Sequence, residues 1–89
     1  MDYTDALKIV RSKHSNDLIR NYFEYNGKFI FAISKGKTYI EDDPSAYHVS
    51  IDSKTGEYAL YDFWTELLDN TDPNFTKAID SVKAIDIPV

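Results

Sequence analysis

Eighty-nine residues allow one domain and exclude two. Cysteine is absent, which excludes disulfides, thiolate metal sites and thiol catalysis. The net charge of −5 is uneven: five basic residues face four acidic ones in 1–30, and five face eleven in 31–89, so the acidic part repels nucleic-acid phosphate.

The chain opens with a helix running to about Lys13, capped by Asp2 or Thr4. Tyr3, Ala6, Leu7, Val10 and His14 fall on one helical stripe, while Lys8, Arg11, Ser12 and Ser15 lie off it. Three turns are too short to stand alone, so the stripe has to dock. Ser15-Asn16-Asp17 ends the helix in a turn.

Two apolar runs, Leu18 to Tyr25 and Lys28 to Ser34, flank Asn26-Gly27, a strong hairpin signal. A two-residue turn pairs Tyr25 with Lys28 and separates Phe23 from Phe29, Phe31 and Ile33. A three-residue loop with Gly27 at a bulge pairs Glu24 with Lys28 instead. That register collects Ile19, Phe23, Phe29, Phe31 and Ile33 on one face and Arg20, Tyr22, Glu24 and Lys28 on the other. One residue of slip flips a strand's faces, so burial of the larger apolar set favours the bulged loop.

Residues 34–46 are the least regular stretch, basic at Lys35 and Lys37 and acidic at Glu41, Asp42 and Asp43. A loop of that length in a small domain is often functional or mobile. A second hairpin follows, in which Tyr47, Val49 and Ile51 alternate with His48, Ser50 and Asp52. Ser53-Lys54-Thr55-Gly56 suits a type I turn closed by glycine at positive φ. Pairing Asp52 with Glu57 puts Val49, Ile51, Tyr58 and Leu60 on one face.

Asp62 caps a short helix with Phe63, Trp64, Leu67 and Leu68 on its apolar side. Thr71-Asp72-Pro73 starts another, with Phe75, Ala78, Ile79 and Val82 at helical spacing. Ala84 to Val89 alternates as a final edge strand stopped by Pro88. The expected fold is one α+β domain over 1–89: an antiparallel sheet of about four strands in two hairpins, with the N-terminal helix and the short C-terminal helices packed on one face.

Few residues invite chemistry. His14 and His48 are the only imidazoles, and they lie far apart in sequence. No serine sits in a nucleophile-elbow pattern. His48 falls on the polar, solvent-facing side of its strand, and His14 ends the first helix, where a cation suits the dipole. Glu41-Asp42-Asp43 lacks the spaced oxygens and central glycine of a calcium loop. Asp52-Ser53-Lys54-Thr55-Gly56 is explained as turn formers. Gly36-Lys37-Thr38 lacks the earlier glycine of a phosphate-binding loop, and Asn74-Phe75-Thr76 is a glycosylation sequon without weight in a cytosolic chain. These readings point away from an enzyme, a metal and a cofactor.

Aromatic residues make up 15% of the chain, more than one small core needs. They fill the core and its rim, or they form a recognition surface. The acidic charge likewise serves solubility alone or draws a basic protein surface. The expected partner-binding residues are Glu41, Asp42, Asp43, Tyr61, Asp62, Phe63, Trp64, Glu66 and Asp69. A chain without disulfides, without a basic and apolar start at Met1-Asp2-Tyr3-Thr4-Asp5, and without an apolar run of about 18 residues is expected in the cytoplasm, off the membrane.

Ala6-Leu7-Lys8-Ile9-Val10 on a first helix, followed by strands ending in Tyr47-x-Val49-x-Ile51-Asp52-x-x-Thr55-Gly56-Glu57, resembles PepSY-type domains over about residues 4–61. Those are small bacterial helix-plus-antiparallel-sheet modules, several of them thought to be inhibitors or binding modules. The chain departs from that pattern in its Trp-bearing C-terminal third. In size and charge it is similar to bacterial immunity proteins and phage-encoded inhibitors of host defence. Charge asymmetry and surplus aromatics without catalytic groups lead to the expectation of a protein that binds and blocks a partner protein; a module that self-associates through a sheet edge or aromatic patch is the alternative.

Overall fold

The structure, a computed structural model, describes residues 1–87. Helix α1 (Tyr3–Lys13) is followed by strands β1 (Leu18–Tyr25), β2 (Lys28–Ser34), β3 (Tyr47–Asp52) and β4 (Tyr58–Tyr61). Helices α2 (Phe63–Asp69) and α3 (Pro73–Asp80) and a two-residue strand β5 (Lys83–Ala84) follow. The class is α+β, as expected, with one antiparallel five-stranded sheet in the order β4-β3-β2-β1-β5. A final edge strand forms, but as Lys83–Ala84 paired with Tyr22 and Asn21; the alternating run expected from Ala84 onward bends at Ile85 and Asp86 instead. The stop assigned to Pro88 lies outside the described residues.

The first hairpin departs from the expected register. Tyr25 pairs with Lys28 across a two-residue turn, and both Asn26 (φ 53°) and Gly27 (φ 73°) are left-handed. That is the geometry of a type I′ turn, whose twist matches that of the strands it joins; asparagine and glycine tolerate it best. Phe23 therefore pairs with Ile30, and Tyr22 with Phe31, so Phe23 and Tyr22 exchange the faces assigned to them from sequence. A bulge at Arg20 restores the phase, because Ile19 pairs with Ile33 although Asn21 pairs with Ala32. The extra residue keeps Ile19 on the same side as Phe31 and Ile33.

Two cores result, one on each face. On the first, Ala6 and Val10 of α1 pack on Ile19, Phe29, Phe31, Ile33, Val49 and Ile51, with Tyr3 stacked on Tyr22 at 4.2 Å. On the second, Phe75 of α3 packs on Phe23 and Ile30, with Tyr25, Tyr61, Phe63, Ala78 and Ile79 around them. The helices thus divide between the two faces instead of sharing one. Strand β2 lies between the cores, and every residue from Phe29 to Ser34 is buried. A strand covered on both sides reads as a continuous apolar run, and Phe29-Ile30-Phe31-Ala32-Ile33 is one.

The local signals for the other elements hold. Asp2 caps α1 by accepting from the Asp5 N–H at 3.0 Å, Asp62 caps α2 through Thr65 at 3.2 Å, and Asp72 caps α3 through Asn74 at 2.9 Å. In the second hairpin Val49 faces Leu60 and Ile51 faces Tyr58, as their alternation requires. Asp52 accepts from the N–H groups of Lys54 and Thr55 at 2.8 and 3.0 Å, closing the turn before Gly56 at φ 73°. Asp86 ties the C-terminus to α1 and β1: it holds Arg11 through two bonds of 3.0 and 3.1 Å and accepts from the Ile19 N–H at 3.1 Å.

His14 caps α1 but does so from inside the protein. Its Nε2 lies 2.8 Å from the Tyr58 hydroxyl, and its Nδ1 lies 3.1 Å from Asp17 and 3.2 Å from the Tyr47 hydroxyl. With the proton on Nδ1, the ring donates to Asp17 and accepts from Tyr58, so the buried polar group is satisfied and pins α1 to the β3–β4 edge.

Truncation should separate the second core from the helix surface above it. Phe75→Ala should cost about 3–4 kcal/mol, the usual range for a buried phenylalanine, while Leu68→Ala, on a side chain 83% exposed, should stay within about 0.5 kcal/mol. Urea unfolding of the two variants measures both; equal losses would contradict the two-core packing.

Candidate functional site

Three residues of one cross-strand row form the floor of a groove on the second face: Asn21, Ala32 and His48 pair in sequence across β1, β2 and β3. Ala32 sits in the middle and leaves the floor low. The helices above it are short, seven residues in α2 and eight in α3, so they cover the row incompletely. The open part is a groove of about 300 Å³ lined by Arg20, Asn21, Phe23, Ala32, Asp42, Asp43, Ala46, His48, Phe63, Trp64, Ile79 and Val82.

The 35–46 loop forms one wall and is tethered at three places. Gly36 donates its N–H to Asp17 at 3.1 Å, and Arg20 donates to the Ile40 carbonyl at 2.8 Å and to Ser34 Oγ at 3.1 Å. The Arg20 guanidinium also lies 4.9 Å above the Tyr39 ring. Further along, Asp43 Oδ1 accepts from the N–H and hydroxyl of Ser45 at 2.9 and 2.7 Å, bonds that hold its carboxyl below the usual carboxylate range. Asp42 sits in the left-handed region at φ 55°, where a non-glycine residue is strained.

Helix α2 forms the opposite wall. Phe63 stacks face to face on His48, with ring centroids 4.3 Å apart and planes 15° apart, and meets Phe23 edge-on at 6.0 Å. The expectation that His48 faces solvent is therefore corrected: the second face carries its own apolar cover, and Phe63 lies on the imidazole. Burial, unopposed by any hydrogen bond or charge, lowers His48 to about 4, so the ring is neutral at pH 7.

Past Phe63, α2 turns its apolar side outward. Trp64 is 65% exposed, Leu67 45% and Leu68 83%, and no residue of the helix is fully buried. The apolar side expected to seal the core is mostly surface.

Of the nine residues expected to bind a partner, Asp42, Asp43, Phe63 and Trp64 meet at this groove. Glu41 precedes them in the loop and is exposed, as are Asp62 and Asp69 on α2. Tyr61 and Glu66 point elsewhere, into a separate polar hollow shared with Tyr25, Lys28 and Asn70. There Asn70 donates to Glu66 at 2.7 Å, and the buried Tyr61 hydroxyl, raised to about 12 mainly by burial, has no hydrogen-bond partner among the described residues. Arg20, Asn21, His48, Ile79 and Val82 also reach the groove and were not singled out from sequence. The apolar run of β2, read as a sign of two covered faces, would have pointed to His48 and Ala32.

Among the described residues, no three His, Asp or Glu side chains are grouped to hold a metal, and no helix is long and apolar enough to cross a membrane. Comparison with protein-family models, with curated proteins and with solved structures found no match to this chain.

The buried imidazole makes stability pH-dependent. The unfolded chain takes up a proton at His48 near pH 6.5, and the folded chain not until about pH 4, so stability falls as pH drops through that window. Allowing for partial exposure, the loss between pH 7 and 5 should be roughly 1–2 kcal/mol, several degrees of Tm. The carboxylates held low here, such as Asp43, lose their contribution only below about 4. Thermal melts of the wild type and of His48→Gln at both pH values check this; an equal fall in the variant would contradict it.

Proposed function

We propose that this chain is a non-enzymatic binding protein of the inhibitor or immunity type, which docks on a basic surface of a partner protein in the cytoplasm of a bacterium or phage-infected cell and blocks it. The observation that carries this reading is the outward-facing apolar side of α2. Trp64, Leu67 and Leu68 stay exposed beside an open groove, on a helix that also carries Asp62, Glu66 and Asp69. A helix whose large side chains leave its own core uncovered is suited to cover another protein's surface. Tryptophan is among the residues that anchor interfaces most strongly. Surrounding carboxylates steer a basic partner into place. The sequence resemblance to PepSY-type modules over about residues 4–61 is in line with the same reading.

One observation favours self-association as a second reading. Among the described residues strand β4 pairs with β3 alone, and its Leu60 is 76% exposed, so the sheet offers an open, apolar edge to another copy. Sedimentation over a range of concentrations separates the two, because the blocking protein stays monomeric and the self-associating module does not.

Affinity capture from the cells that make this protein tests the leading reading. The wild type should recover one partner in stoichiometric amount, and the joint Trp64→Ala and Leu68→Ala variant should lose it at least tenfold. Failure of the wild type to recover any stoichiometric partner would overturn the proposal.

A further inference from the structure

We infer that the groove between α2 and the 35–46 loop receives an arginine side chain of the partner protein; the inference rests on the binding role proposed above and names the chemistry of the anchor. The groove combines three features that suit one kind of group. Trp64 supplies an exposed ring, Asp42 and Asp43 supply carboxylates on the facing wall, and the stacked Phe63 and neutral His48 supply an uncharged floor. An anion is repelled there. A purely apolar side chain fills the groove but strips water from the carboxylates without replacing it. A guanidinium satisfies all three: it stacks flat on an aromatic ring and presents its N–H fork to a carboxylate, which a lysine ammonium cannot do in both ways at once.

The charge around the groove fits the same occupant. Its charged lining is two carboxylates, Asp42 and Asp43, against one cation, Arg20. Arg20 also reaches the groove, but its guanidinium is committed to Ser34, the Ile40 carbonyl and the Tyr39 ring. Asp43 is already held by the N–H and hydroxyl of Ser45, whereas the Asp42 carboxylate has no hydrogen bond among the described residues. Arg20 also shows within this chain how a ring and oxygen acceptors together hold a guanidinium at the groove's edge.

Trp64 is the sole tryptophan of the chain, so its emission reports the groove directly. The probe is a short peptide with one arginine between leucines, set against the same peptide with neutral citrulline in place of arginine. Titration should give a saturable change in Trp64 emission with the arginine peptide. Binding should be at least tenfold weaker for the citrulline peptide, and at least tenfold weaker for the arginine peptide on the joint Asp42→Asn and Asp43→Asn variant, whose urea midpoint confirms that it is folded. Equal binding of the two peptides, or no emission change with the arginine peptide, overturns the inference. Capture of a partner by the wild type and equally by the Asp42→Asn, Asp43→Asn variant likewise overturns the arginine site while leaving the binding role intact. Loss of all capture by the wild type is the separate result that sinks the binding role.

Discussion

The rest of the structure depends on the two-residue turn at Asn26-Gly27. Its paired left-handed residues set Tyr25 against Lys28 and so decide which side of the sheet each later residue of the hairpin faces. Because side chains alternate, a one-residue change there would move Phe23 to the face of α1 and leave Phe75 without its main aromatic partner on β1. With the observed register, Ile30 and Phe23 point away from Phe29, Phe31 and Ile33, and the sheet needs cover on both sides. The bulge at Arg20 completes this arrangement by returning Ile19 to the α1 face.

The two covers are unequal, and the difference produces the candidate site. An eleven-residue helix seals the first face, with Ala6 and Val10 fully buried. Two shorter helices close the second, and only Phe75 of α3 is buried among their residues. What remains open lies above Ala32 and His48, walled by the acidic loop and by Phe63 and Trp64. The fold thus concentrates exposed rings and carboxylates at the place where the helices fail to meet. Small domains have little core to spare, and surface of this kind left uncovered is a natural contact region.

Much of the fold was legible in the sequence, because its signals were local. Helix caps at Asp2, Asp62 and Asp72 depend on one side chain and a nearby N–H, and the second hairpin depends on alternation and a five-residue turn. The first hairpin departs from its sequence pattern for a physical reason. A register that gathers Phe23 with Phe29, Phe31 and Ile33 assumes one buried face and conflicts with the two-residue turn that Asn-Gly favours. The unbroken apolar run from Phe29 to Ile33 was the contrary signal. At the groove, Asp42, Asp43, Phe63 and Trp64 come together, residues that stand out in the sequence by charge and aromatic character. His48 was missed because it was placed facing solvent, whereas contact with Phe63 is long-range and visible only in three dimensions. Tyr61 and Glu66 were misgrouped because neighbours in sequence separate where β4 gives way to α2.

The central claim is that the sheet carries a core on each face, with Phe23 and His48 on the side of α2 and α3. Nuclear Overhauser contacts between assigned side chains test it most directly. Cross-peaks are expected from Phe23 to Phe75 and from the His48 ring to Phe63, together with cross-peaks from Phe31 to Tyr3 and Tyr22. Contacts from Phe23 to Ala6 or Val10, with none to Phe75, would contradict it.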